Sequence, residues 1–262
     1  MAYTPDVAFV RQYEDSVLHL ASQRDARLSA AVTNKTVVGQ SLEIERVAAS
    51  DAVTKASRHA ATPTQEIVHS RRRAAMSDEH WAEMVAKTDE VKMIIDPKSA
   101  YQRELAGAYN RSADDIIIAA ALGNSVAINA AGTASNVAIT NTIVHGSAGM
   151  TVAKVREARE LILSSDPDES DPMFFALSAK QQMELLDDPE LTDTDFSLIK
   201  RAVDGELNGT YMGFQFIRSE RLDITTTIRD CIAFTKSSIV YGQALPLSVQ
   251  MAPRPDLSMS LQ

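Results

Sequence analysis

A chain of 262 residues with 45% hydrophobic and 23% charged side chains can bury a real core and is not disordered as a whole. Its formal charge of −9 argues against a protein whose work is to grip nucleic acid, because such proteins draw most of their affinity from Lys and Arg. No run approaches the roughly 18–20 apolar residues of a membrane helix, residues 1–10 carry no secretory pattern, and a single cysteine, Cys231, excludes an internal disulfide framework.

The first thirty residues read as a polar, partly helical arm. Val7, Val10, Tyr13, Val17 and Leu20 recur at spacings of three and four. So short an amphipathic piece needs something to lie against. From residue 36 the period changes to two: Leu42, Ile44 and Arg46 alternate with Glu43, Glu45 and Val47. After a polar stretch, residues 65–69 read as a returning strand, giving an extended hairpin with too little apolar content to bury against its own fold. An isolated hairpin is marginal in water, so this one is expected to pack on a neighbour.

Residues 77–95 are mixed, with Ser77 as a helix cap ahead of Trp81, Met84 and Val85. The clearest helix follows. Asp96 caps it, Pro97 takes its first position, and Gly123 stops it. Tyr101, Leu105, Ala108, Tyr109, Ser112, Ile116 and Ala119 form its expected stripe, over roughly 39 Å at about 1.5 Å per residue. Gly107 inside it is a mild penalty. Short strands and loops are expected over 123–150 and a helix over 152–163. A buried strand follows at 173–177, and then a helix to about residue 186 opened by a capping box of Ser178 and Gln181. A further helix over 195–203 and strands at 214–218, 231–234 and 238–241 complete an α+β lobe. Cys231 is expected as a small buried strand residue.

Charge is unevenly placed. Residues 166–195 hold ten acids against Lys180, whereas residues 55–73 hold Lys55, Arg58, Arg71, Arg72 and Arg73 against Glu66. Two such poles suggest two surfaces that meet other molecules.

Motifs for chemistry do not emerge. There is no phosphate loop, dinucleotide fingerprint, nucleophile elbow or zinc-type spacing, and the histidines His19, His59, His69, His80 and His145 are scattered. Asp114-Asp115 is the best carboxylate pair, but neighbours on a helix point about 100° apart, so a salt bridge across a subunit contact is the better reading than acid/base work. Arg71, Arg72 and Arg73 are a weak nucleic-acid signal in so acidic a chain, and protein–protein contact suits them better. No catalytic residue, cofactor site or metal site is expected.

The order of features, polar arm, long hairpin, long capped helix, α+β lobe and returning strands, resembles the tailed-phage major capsid proteins of the Hong Kong 97-type fold. The local text is similar to a podophage-type capsid family. Ser57-Arg58-His59-Ala60-Ala61-Thr62-Pro63 and His69-Ser70-Arg71-Arg72-Arg73 match its extended loop. Ile95-Asp96-Pro97-Lys98-Ser99-Ala100-Tyr101 and Asp114-Asp115-Ile116-Ile117-Ile118-Ala119-Ala120 bracket its spine helix. Gly213-Phe214-Gln215-Phe216-Ile217-Arg218-Ser219 matches a strand leaving its axial domain.

The resemblance implies an N-terminal arm (1–32), an extended β-hairpin loop (33–75) and a peripheral domain (76–150) containing a spine helix (97–122). It further implies an axial domain (151–228) and a return to the peripheral domain (229–262). Its partners would be other copies in hexamers and pentamers, a separate scaffolding protein, a portal protein and packaged double-stranded DNA touched only weakly, with room for a decoration protein. The separate scaffold is expected because the chain starts close to the arm. Assembly would take place in the host bacterial cytoplasm, and the location would be the virion. Lys55, Arg58, Arg71, Arg72, Arg73, Asp114 and Asp115 would lie at contacts between subunits. Three rivals remain: a cellular nanocompartment shell of the same fold, an enzyme built on Asp114, Asp115 and His145, and a DNA-binding virion protein using Arg71 to Arg73.

Overall fold

A computed structural model describes residues 23–55, 57–62, 64–84, 98–129, 132–188, 210–225, 228–248, 253–254 and 260–261. The chain forms two compact units, one of Met1–Asp25, Glu79–Arg111 and Leu247–Gln262, the other of Ala26–Asp78 and Ser112–Pro246. The expected pattern over Val7 to Leu20, the Asp96 cap with Pro97, and the helix over 195–203 lie outside the described residues.

In the larger unit a 3-10 turn, Ser29–Ala31, leads into β1 (Thr33–Thr36), β2 (Ser41–Val47) and β3 (His69–Ala75). Helix α1, Lys98–Leu122, belongs to this unit from Ser112 onward and is followed by β4 (Ser125–Ile128) and β5 (Ala134–Val137). Helix α2 (Val152–Leu163), β6 (Met173–Leu177) and α3 (Ala179–Leu186) come next. The lobe closes with β7 (Thr210–Tyr211), β8 (Phe214–Arg218), β9 (Ile224–Thr225), β10 (Ile228–Arg229), β11 (Ile232–Thr235) and β12 (Val240–Gln243).

The centre of this lobe is β6. Its run Met-Phe-Phe-Ala-Leu is apolar without alternation, as a strand covered on both faces requires. It lies inside the sheet β11-β6-β8-β7, parallel to β8 and antiparallel to β11. Because side chains alternate across a strand, Phe174 and Ala176 join Ile232, Phe234, Leu28, Val32, Ile117, Ile118 and Leu222 on one face. Phe175 and Leu177 join Phe214, Val152, Val155, Leu185 and Leu186 on the other. Burying each such Phe or Leu stabilises by about 1.5–3 kcal/mol. The ring of Phe175 meets that of Phe214 edge-on at 5.6 Å. Helix α3 opens with the expected capping box: the Ser178 amide donates to Gln181 Oε1 at 3.0 Å, and the Gln181 amide to Ser178 Oγ at 3.4 Å.

A two-residue loop, Met212-Gly213, joins β7 to β8, and both residues have positive φ, +50° and +80°. Such a turn favours Asn-Gly. Met212→Asn should relieve part of the roughly 1–2 kcal/mol that a left-handed backbone costs an ordinary side chain, net of the packing of Met212 on the Phe175 cluster, read as a raised urea midpoint with an unchanged m-value. A lowered midpoint would show that the Met212 side chain contributes more than its backbone costs.

The second sheet has the order β2-β3-β4-β5, antiparallel throughout. Beside it β1 and β12 pair in parallel. A Cβ on Gly242 would stand 2.8 Å from Val37 Cγ2 and 3.3 Å from Leu42 Cδ2, so only glycine lets β12 approach β2 this closely. Between β2 and β3 the described residues of 48–68 carry no regular strand or helix and are exposed apart from Ala60.

Three expectations are corrected. The returning strand is His69–Ala75, not 65–69, so Arg71, Arg72 and Arg73 sit within it; Glu43 and Glu45 opposite them supply the partners that make three consecutive arginines acceptable in a strand. The buried stripe of α1 is turned by about one residue. Tyr101, Ile116 and Ala119 are exposed, while Ala113, Asp114, Ile117 and Ile118 are buried, because the Asp114 carboxylate has backbone donors waiting inside. Cys231 is half-buried and stands one residue before β11.

In the smaller unit the first half of α1 buries Gly107 against the backbone of Gln23 and Arg24, and a Cβ there would stand 3.6 Å from Gln23 O. Gly107 is thus a close-approach position. Asn110 and Arg111 hold the same segment by donating to Arg24 O and Gln23 O at 2.7 and 2.8 Å. Trp81 and Met84 lie in irregular, exposed chain, and β13 (Pro253–Arg254) pairs with β14 (Ser260–Leu261).

Candidate assembly surface

The hairpin carries its charge in two different states. Seven residue pairs set the register of β2 on β3, and Glu43 faces Arg73 while Glu45 faces Arg71 on one side of the ribbon. Arg73 donates to Glu43 Oε1 at 2.6 and 2.9 Å, and Arg71 bridges Glu43 Oε2 at 3.2 Å and Glu45 Oε1 at 2.5 Å. Directly opposed pairs of this kind stabilise a ribbon modestly. The Arg73 hydrogen bond holds the Glu43 carboxyl below its ordinary value, and Glu45 raises Arg71. The depressed Glu43 favours the folded ribbon above its ordinary pKa, and that contribution is lost as pH falls through the lower folded value.

On the opposite side of the ribbon Arg72 faces Ile44. Among the described residues Arg46, Lys55, Arg58 and Arg72 have no ion-pair partner in their own chain. The tip beyond the paired strands, 48–68, is exposed at every described position except the half-exposed Ala60, and Val47, Val53, Ile67 and Val68 are bare to solvent. Loops beyond about 12–15 residues without regular structure are uncommon in compact domains and usually serve a function. A tip studded with exposed apolar side chains, whose bases Lys55 and Arg58 match the acids Asp51 and Glu66 in number but have no ion-pair partner among the described residues, has the chemistry of a contact surface for another molecule.

Asp114 and Asp115 have different work. Asp114 is fully buried, and its two oxygens accept the backbone N–H groups of Leu28 at 3.0 Å and Arg27 at 3.1 Å. It thereby fastens the segment that leads into the 3-10 turn to α1. Asp115 makes a two-pronged pair with Arg221, whose guanidinium it raises, and Arg27 also donates to Arg218 O at 2.7 Å. Both aspartates, expected at a contact between subunits, thus have partners within their own chain. Those partners were invisible in the sequence, because Arg27 and Arg221 lie far from them along it.

The acidic segment is also partly internal. Asp188 Oδ2 accepts the Val152 amide at 2.9 Å and Glu184 Oε2 the Met150 amide at 2.8 Å, placing two carboxylates at the start of α2 where the helix dipole favours them. Asp171 accepts from Ser237, and Asp168 from Ser170, whose amide and hydroxyl depress the Asp168 carboxyl. Lys154 fills the neighbouring loop by donating to the carbonyls of His145, Ala148 and Gly149 at 2.7, 2.9 and 2.8 Å. His145 itself accepts the Ser147 amide through Nδ1 at 3.0 Å.

Among the described residues no group of three or more His, Cys, Asp and Glu could hold a metal ion, and no helix is long and apolar enough to cross a membrane. Burial pushes the Cys231 thiol up to about 12 from an ordinary value near 9, with Asp230 adding to the rise. At pH 8 the folded protein should therefore be alkylated by iodoacetamide roughly a thousandfold more slowly than the urea-unfolded chain. Equal rates would show an open thiol. Because the folded value is the higher one, this thiol favours the folded state below pH 9, a contribution lost as pH climbs toward 12.

These features can be set beside known proteins. The chain matches the family described as phage capsid protein over residues 6–262. The capsid structure of cyanophage P-SCSP1u superposes with a TM-score of 0.67 at 14% identity, covering 97% of this chain and 86% of that one. A chain of Mycobacterium phage Che8 gives 0.66 at 17%, covering 98% and 90%. The capsid of Ralstonia phage GP4 gives 0.68 at 9%, covering 98% and 88%. Among curated proteins none matches. The likenesses carry the fold, which is of the Hong Kong 97 type, α+β with an extended hairpin and a long helix. With the family match running over residues 6–262, nearly the whole chain, the chain belongs to the phage capsid protein family.

Proposed function

We infer that the chain is the major capsid protein of a tailed phage, assembling as hexamers and pentamers into the icosahedral shell around double-stranded DNA. The observation that carries this, within the family, is the hairpin: its tip is exposed at nearly every described position, with Lys55 and Arg58 lacking an ion-pair partner among the described residues and Val53, Ile67 and Val68 open to solvent. Such a segment gains partners when it lies across a neighbouring copy. Lys55, Arg58 and Arg72 supply contact charge. Arg71 and Arg73 shape the ribbon through Glu43 and Glu45, and Asp114 and Asp115 hold the lobe that presents it. An acidic chain suits a container that must release its DNA, because tight phosphate binding would hinder packaging and ejection.

The role is structural, without catalysis. The arm is assigned to 1–32, the extended loop to 33–75, the peripheral domain to 76–150 with 229–262, and the axial domain to 151–228. A separate scaffolding protein directs assembly in the bacterial cytoplasm, a portal protein occupies one vertex, and decoration proteins find room outside.

The test is negative-stain electron microscopy of the full chain, alone and co-expressed with its scaffolding partner. Closed shells or five- and six-membered rings are the expected result. A uniform small particle under every condition would count against a shell role and reopen a catalytic one around Asp114, Asp115 and His145.

A further inference from the structure

We propose that the four-stranded sheet β2-β3-β4-β5 is joined from copy to copy through its two open edges, the β5 edge of one subunit taking the β2 edge of the next. The proposal rests on the capsid assignment and names a surface by which copies meet.

The phase of each edge follows from the hydrogen bonds just beyond the strands. Ala48 N–H donates to Val68 O at 2.9 Å, and Met76 N–H to Gln40 O at 3.2 Å. In an antiparallel ladder bonded and non-bonded pairs alternate. Residues 42, 44 and 46 therefore bond inward to β3, while Ser41, Glu43, Glu45 and Val47 turn their N–H and C=O groups to the open edge. At the far side Asn129 N–H donates to Thr133 O at 3.1 Å. By the same alternation Ser135 and Val137 bond to β4, and Ala134 and Asn136 face outward. Among the described residues neither edge meets another strand.

Open edges invite pairing, and soluble proteins guard them with charge, proline or bulges. The β5 edge has none of these guards. Residues 132–142, Gly-Thr-Ala-Ser-Asn-Val-Ala-Ile-Thr-Asn-Thr, contain no charge and no proline, and all are exposed. The β2 edge does carry Glu43 and Glu45, but Arg71 and Arg73 neutralise both from the next strand. An unguarded edge and a neutralised edge on one sheet share its twist, so joining them continues the sheet. The two edges differ, so the joint is head-to-tail, and such a joint closes into a ring where its rotation per step divides a full turn, as a cyclic capsomer requires. Backbone hydrogen bonds would supply the affinity, as in strand addition generally.

Proline tests the β5 edge without disturbing the sheet. Asn136→Pro removes an outward N–H and sets a ring on the β5 edge, leaving the β4-facing amides in place. Unassembled Asn136→Pro protein should melt like the parent while forming roughly tenfold fewer rings or shells, a loss worth about 1.4 kcal/mol. Normal assembly of this variant would overturn the proposal. In case the proline variant folds poorly, disulfide trapping gives a second measure. In a Cys231→Ala background, Asn136→Cys is combined in turn with Ser41→Cys, Glu43→Cys, Glu45→Cys and Val47→Cys, and assembled particles are oxidised. One combination should give covalent multimers, and Asn136→Cys alone should give none. Dimers from Asn136→Cys alone would mean like edges meeting, and no cross-link in any combination would mean other contacts; either result overturns the proposal and leaves the shell assignment standing. Failure of the parent chain to form any ring or shell would instead overturn that assignment, and this joint with it.

Discussion

Asp114→Ala should lower the melting temperature of the unassembled protein by on the order of 10 °C. The loss is large because the carboxylate is fully buried and answers two backbone amides, those of Arg27 and Leu28. Without it the buried Leu28 amide and the part-buried Arg27 amide lose a charged acceptor, and each donor left unmet costs about 1–3 kcal/mol, or about 2–6 kcal/mol for the two. In a chain of this size each kcal/mol moves the midpoint by about 2–4 °C. Asp114→Asn keeps one acceptor oxygen and should recover part of the loss. Thermal unfolding followed by far-ultraviolet circular dichroism decides the matter, and a midpoint within a degree of the parent for Asp114→Ala would remove the fastening role.

Reversing all three arginines of β3 should abolish shell formation, but for two separable reasons. Arg71→Glu and Arg73→Glu set carboxylates opposite Glu43 and Glu45, and like charges directly opposed destabilise a ribbon. Arg72→Glu changes a cation with no ion-pair partner among the described residues. The fourfold exchange Glu43→Arg, Glu45→Arg, Arg71→Glu, Arg73→Glu keeps the ladder with its polarity inverted and should retain the ribbon. Arg72→Glu, alone or with Arg58→Glu, should leave the subunit folded and slow particle formation roughly tenfold or more, because a like-charge contact at an interface costs several kcal/mol. Light scattering during assembly measures that rate. If Arg58→Glu with Arg72→Glu assembles at the parental rate, the free cations of the hairpin carry no contact.

Local physics made much of the lobe legible. Helix α2, strand β6 and the Ser178–Gln181 capping box follow from periodicity, an unbroken apolar run and a spacing of three, all short-range signals. Strand β8 reads equally well. What stayed hidden depends on residues distant in the chain. Arg71 to Arg73 resemble loop text until Glu43 and Glu45 are placed opposite them, although the matched spacing of two in both pairs was a usable signal. The face of α1 was misjudged because Asp114 was read as meeting another subunit, whereas the amides of a segment 86 residues away draw it inside. Much of the acidic segment was taken for a partner surface because the donors at Met150, Val152 and Ser237 carry no mark in the sequence. Backbone amides are the commonest acceptors' partners and the least visible ones.

The strand β6 has a further consequence for how the lobe comes apart. Its side chains contribute alternately to the two apolar clusters, Phe174 and Ala176 to one, Phe175 and Leu177 to the other. One wall therefore serves two rooms, and neither can be opened while the other stays shut. A slip of β6 by one residue would exchange their contents. Melting of this lobe should accordingly be a single all-or-none event, with the calorimetric and van't Hoff enthalpies equal.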